Sequence, residues 1–194
     1  MDLKRDMHKD EVETALKNKG EFVQIDWLTR YLKLMPPIEM RKYAYLKLAQ
    51  IYEAKKLFSD AARMYRNMAL NSKGIKDKIE NLNKETEAWI KAGDFFEADK
   101  SLKAAMEEST FKERDIIYAN VLKLYKSSAE MLEKEMKRNQ ASKYYEKLLN
   151  MNVPENEKEF IKTKLAEIYS KLGKVRDMAF INRNEEIARK RRLF

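Results

Sequence analysis

The chain has 194 residues, 44% hydrophobic and 38% charged, with a formal net charge of +9. It has no cysteine, which excludes disulfides, thiolate metal sites and cysteine nucleophiles, and its single histidine, His8, rules out a multi-histidine metal centre and leaves little for a histidine-based triad. Four glycines and three prolines are too few for turn-rich β structure or for the glycine-rich loops that cradle phosphates. No apolar run reaches the roughly 20 residues that span a bilayer, and no secretory segment follows Met1. A cytoplasmic, all-α chain with no cofactor and no metal is expected.

The elements follow in chain order. Met1 to Lys19 is polar and weakly periodic, with Val12, Ala15 and Leu16 as its apolar positions. Gly20 breaks it, and Phe22, Ile25, Trp27, Leu28, Tyr31 and Leu32 form a helical stripe that stops at Pro36-Pro37, where proline and the residue before it leave the α region. Tyr45 to Tyr65 then carries two stripes, Leu48, Ala49 and Tyr52 followed by Phe58, Ala61 and Tyr65, separated by a polar Lys55-Lys56 turn. A third pair of stripes holds Leu82 and Trp89, then Phe95, Ala98, Leu102 and Ala105, with Gly93 between them. In the fourth, Tyr125, Ala129 and Leu132 precede Ala141 and Tyr145 without a glycine, and its first helix is expected from about Lys112 to Met136. Pro154 closes it, and Leu165, Ala166, Tyr169, Gly173 and Val175 begin a fifth.

These stripes are similar to tetratricopeptide repeats, whose pattern is W-x2-L-G-x2-Y followed by A-x3-F. Tyr45 stands in the Trp slot, Leu48-Ala49 in the Leu-Gly slot, and Ala61 with Tyr65 in the second helix. Gly20, Gly93 and Gly173 share the inter-helix slot. Ala61 and Ala98 stand 37 positions apart and Ala98 and Ala141 43, against a family period of about 34. The resemblance implies a right-handed α-solenoid of antiparallel helix pairs, about ten helices in all. Residues 1–181 would form about five degenerate repeats, and 182–194 a basic helix end or tail. A generic helical bundle, with the alanines and tyrosines as plain core, is the competing reading.

The resemblance also implies a concave groove lined by the first helix of each pair. Its candidate residues are Leu46, Gln50, Glu53, Glu87, Lys91, Lys126, Glu130, Lys134, Thr163, Glu167 and Lys171. Glu87–Lys91, Glu130–Lys134 and Glu167–Lys171 are i,i+4 pairs in the favoured orientation, each contributing roughly 0.2–0.5 kcal/mol if formed. They would give the groove a ladder of both signs. Family members that clamp a C-terminal carboxylate use Lys and Asn on this face. Here the Asn slot holds Gln50, Glu87, Glu130 and Glu167, so chaperone-tail binding is disfavoured.

The excess of positive charge gathers at the end, where Arg183, Arg189, Lys190, Arg191 and Arg192 face only Glu185 and Glu186. The expectation is therefore a non-catalytic scaffold that binds another protein, as a peptide or helix, in its groove. The alternatives are a nucleic-acid-associated protein acting through the basic tail, with steep salt dependence, or a subunit of a larger assembly stacking through its terminal repeats. Aromatic residues do not interleave with the basic run, Phe194 apart, so a stacking platform for single strands is not expected.

Overall fold

A computed structural model describes residues 3–174. Among them are nine helices and no strand: α1 (Lys9–Leu16), α2 (Glu21–Lys33), α3 (Ile38–Ala54), α4 (Phe58–Leu70), α5 (Ile75–Ala92), α6 (Phe95–Glu108), α7 (Phe111–Lys134), α8 (Arg138–Leu149) and α9 (Glu155–Leu172). The all-α expectation holds. The chain divides into two compact units within α7, after Ile117.

In the first unit the helices from α2 on pack each on the next in sequence, α2 on α3, α3 on α4, α4 on α5 and α5 on α6. At its start, Leu3, Val12, Leu16, Leu28, Tyr31, Ala44 and Leu48 form one buried cluster, with Trp27, Ile51 and Tyr52 packed on its flank. Further on, Ala69, Leu82 and Ala105 form another. In the second unit α8 packs on α9, and Tyr125 of α7 meets Tyr144 of α8 edge-on, with ring centroids 6.1 Å apart and planes at 60°. That is a favoured aromatic geometry. Tyr145, Leu148, Ile161, Leu165 and Ile168 fill the rest of this core.

Four helices, α3, α5, α7 and α9, end in one geometry. Each places a single residue in the left-handed region: Lys56 at φ 60°, Gly93 at 79°, Met136 at 61° and Gly173 at 68°. The residue after it donates its N–H back to the carbonyl five positions earlier: Leu57 to Tyr52 (2.8 Å), Asp94 to Trp89 (3.1 Å), Lys137 to Leu132 (2.8 Å) and Lys174 to Tyr169 (2.9 Å). The left-handed residue itself bonds three back, to Glu53, Ile90, Glu133 and Ser170 respectively. This is a Schellman ending, which satisfies carbonyls that the helix leaves orphaned. Five residues beyond the first three of these turns stand Ala61, Ala98 and Ala141, all at most 1% exposed. A methyl side chain at that point lets the returning helix approach closely.

The turns recur at 37, 43 and 37 residues, and the longer interval has a structural cause. α7 has 24 residues, against 17 in α3 and 18 in both α5 and α9. The added length lies at its N-terminal end, where residues 111–116 are all exposed. Here Phe111 is 78% exposed and Ile116 62%. A reciprocal cap holds this end: the Thr110 N–H and hydroxyl donate to the Glu113 carboxylate at 2.9 and 2.7 Å, and the Glu113 N–H returns to Thr110 Oγ1 at 3.4 Å. The Thr110 hydroxyl bond is the main cause that lowers the Glu113 carboxyl below its ordinary range.

A left-handed conformation costs a residue with a Cβ about 1 kcal/mol that glycine avoids. Lys56→Gly and Met136→Gly should therefore each raise stability by about 0.5–1 kcal/mol, and Gly93→Ala should lower it by about 1 kcal/mol. Urea unfolding followed by far-UV circular dichroism reads all three.

Candidate interaction faces

The candidate groove residues fall on two faces, one in each unit. In the first unit, Glu53 near the end of α3 accepts a hydrogen bond from the Tyr65 hydroxyl of α4 at 3.1 Å. Burial, then the charge of Glu53 and the bond to it, then the charge of Glu87 on α5, push the Tyr65 phenol well above the ordinary tyrosine range. Glu53, Tyr65 and Glu87 thus share one electrostatic neighbourhood across three helices. Lys91 lies over the Phe58 ring of α4, 6.0 Å from its centroid. Leu46 is half-buried and Gln50 exposed on α3.

The second unit repeats the arrangement. Glu133 of α7 accepts from the Tyr145 hydroxyl of α8 at 2.7 Å. Burial first, then the bond and charge of Glu133, then Glu130 and Glu167, drive the Tyr145 phenol far up. Tyr169 of α9 donates to Glu146 of α8 at 2.7 Å. Lys164 stands 3.8 Å from both Glu133 and Glu167, and Lys126 is 3.9 Å from Glu157. Thr163 is turned into its own helix, donating to the Glu159 carbonyl at 3.0 Å. Lys134 and Lys171 are exposed.

The three expected i,i+4 pairs are not closed among the described residues. Glu167 meets Lys164 instead, and Lys91 turns to Phe58. An exposed pair of this kind is worth only tenths of a kcal/mol, so any nearby alternative displaces it. Glu133, Tyr65, Tyr145 and Lys164 lay outside the candidate set. Glu53–Tyr65 and Glu133–Tyr145 each span twelve positions, and that recurring spacing was their sequence signal. Away from the tail, lysines also gather over aromatic rings. Lys126 and Lys164 both lie over the Phe160 ring of α9, at 5.2 and 6.0 Å from its centroid, and Lys9 and Lys47 both lie over Tyr43, at 5.6 and 5.8 Å.

An ion network centred on one buried carboxylate sits within α4–α6. Glu85, 1% exposed, accepts from Arg66 Nε at 2.8 Å and Trp89 Nε1 at 3.2 Å. Arg66 reaches on to Glu97 at 3.1 Å, which also pairs with Lys100 at 2.7 Å. Burial raises the Glu85 carboxyl, opposed by Arg66 and by the Trp89 bond. The positions equivalent to Glu85, eight residues before each turn, hold Leu48, Ser128 and Leu165. Glu85 Oε2 is buried with no hydrogen-bond partner. The network reads as an internal tie between helices.

Among the described residues no group of three or more His, Cys, Asp or Glu side chains could hold a metal ion, and no helix is long and apolar enough to cross a membrane. The basic-tail residues Arg183, Arg189, Lys190, Arg191 and Arg192 lie outside the described residues, as do Val175 and Phe194. Comparison with known proteins finds no matching family model, no matching curated protein and no matching solved structure.

Two outcomes follow from this chemistry. Removing one partner of an ion pair costs most where the charge left behind is the buried one, as Glu85 would be, and least where it is exposed and paired elsewhere, as Arg66 is with Glu97. Arg66→Ala should cost about 2 kcal/mol, discounted because the Arg66 side chain is 43% exposed, whereas Glu85→Leu should be neutral or stabilising by about 1 kcal/mol; paired urea titrations decide it. The raised phenols of Tyr65 and Tyr145 mean that the folded state holds those protons more tightly than the unfolded chain. Their stabilisation is complete below the unfolded tyrosine pKa of about 10 and is lost as the pH rises above it. Tyr145→Phe should cost about 1–2 kcal/mol at neutral pH and should flatten the loss of thermal stability above about pH 10.

Proposed function

We propose that the protein is a non-catalytic interaction scaffold: a tetratricopeptide-like α-solenoid that binds a peptide or helix of another protein along the first helices of its pairs, α3 and α5 in one unit and α7 and α9 in the other. The observation that carries this reading is a recurring frame that presents a polar side chain at the same position of each pair. The left-handed turn recurs four times and a buried alanine stands five residues after the first three, while the position six residues before each turn holds Gln50, Glu87, Glu130 and Glu167, half-buried at Glu130 and exposed at the others. A repeated frame with polar side chains on its outer face suits recognition. Repeat arrays use such surfaces for binding.

The partner that fits carries both signs of charge. Glu53, Glu87, Glu130 and Glu167 would meet its basic side chains, and Lys91, Lys126, Lys134 and Lys171 its acidic ones, with Leu46, Gln50 and Thr163 completing the contact. Pull-down from the source cell's lysate tests the reading, with nuclease in a parallel sample and at two salt concentrations. A protein partner that survives both treatments, and whose affinity falls about tenfold with Glu130→Lys and Glu167→Lys combined, a change of about 1.4 kcal/mol, supports it. Binding unchanged by that double reversal removes the groove assignment. Binding lost with nuclease moves the function to the basic tail.

A further inference from the structure

Phe160 is the most exposed aromatic on the second unit's first-helix faces, 41% open to solvent on α9. Burying that ring would recover the apolar burial the fold forgoes there. It is not simply a bare apolar spot. Lys126, from α7, and Lys164, from α9, bring their ammonium groups to 5.2 and 6.0 Å from the ring centroid. Both are held by carboxylates only loosely, at 3.8–3.9 Å. Committed ion pairs in this protein close to 2.6–2.7 Å, as Lys42–Asp77 and Lys73–Glu39 do. An incoming carboxylate can therefore engage these lysines without breaking a tight pair. Between Tyr118 and Lys174 there are twelve lysines and arginines against eight glutamates and no aspartate, so the unit's own charge favours an anionic visitor.

We infer that Phe160, Lys126 and Lys164 form the anchor for an acidic segment of a partner protein, one that places a leucine or aromatic side chain on the Phe160 ring and Asp or Glu side chains on the two lysines. This rests on the scaffold reading above and names the partner's chemistry at one point of the face. The choice of a peptide over a nucleic acid follows from the carboxylates nearby. Glu133, Glu157 and Glu167 stand within 4 Å of the same lysines. A phosphate chain, charged at every unit, would run against them. A peptide can set its acidic residues apart and turn neutral or basic ones toward the glutamates. The C-terminal carboxylate of the partner plays no part, since the lysines flank an apolar ring rather than converge on one anion.

The probe is a short fluorescein-labelled peptide alternating Asp or Glu with Leu or Phe, blocked at both ends so that no terminal carboxylate is offered. Fluorescence anisotropy with the full chain should show saturable binding. Phe160→Ala should weaken it about tenfold, and Lys126→Glu with Lys164→Glu by more. A peptide of the same charge with its apolar residues replaced by serine should bind at least tenfold more weakly. Equal affinity for the Phe160→Ala protein would overturn the proposal, as would tighter binding of the serine peptide or of a labelled oligouridine to the same lysines. Phe160 is partly exposed, so its substitution leaves the core intact; the lysine pair gives a second, independent reading. If the peptide does not bind while Glu130→Lys with Glu167→Lys still weakens a captured partner, the anchor is wrong and the scaffold stands. If that reversal is silent as well, both fail.

Discussion

A helix that stops leaves its last carbonyls without partners, and a chain that must turn back at once has few ways to satisfy them. Here the solution is one left-handed residue followed by a long back-bond, and it is used at Lys56, Gly93, Met136 and Gly173. Much else hangs on that turn. It sets the direction of the returning helix, it brings Ala61, Ala98 and Ala141 against the helix before them, and it aligns the ends of α3 and α7 so that Glu53 and Glu133 meet the tyrosines opposite. In the intermediate pair the equivalent positions are Ile90 and Leu102, both buried, so the same geometry carries a polar contact in two pairs and places apolar side chains there in the third.

That tolerance has a limit, and Glu85 marks it. At a site where Leu48 and Leu165 pack without cost, a carboxylate must be met by Arg66 and Trp89, and one of its oxygens is still left over. Burying charge is expensive unless every lone pair is met. The tie links three consecutive helices, so what it loses in solvation it returns in part as a fixed register between α4, α5 and α6.

Helix ends were legible where the chemistry is local. Pro36-Pro37 and Pro154 stop or start helices by their fixed φ and missing N–H, and Gly93 and Gly173 announce left-handed turns. Lys56 and Met136 announce nothing, because a residue forced into that region by its neighbours looks like any other in sequence. The length of α7 was read correctly from its stripe, although its exposed first turn was not. The faces were half legible. Glu53 and Glu87 could be placed by register, whereas Tyr65 and Tyr145 read only as core, since the stripe shows a buried ring but not where its hydroxyl points. The contact of Lys126 with Phe160 joins residues 34 positions apart on different helices, and no local pattern signals it.

The two faces carry glutamate, lysine, tyrosine and phenylalanine, with Leu46, Gln50 and Thr163 beside them. The chain's single histidine is His8, far from them in sequence, and it has no thiol anywhere. Histidine and cysteine are the side chains whose ordinary proton or redox chemistry falls near neutrality. A surface made without them keeps one charge pattern through the swings of acidity and oxidation that a cell undergoes. Recognition on such a surface would answer to ionic strength and partner abundance, with no imidazole or thiol on it to respond to acidity near neutrality or to thiol oxidation.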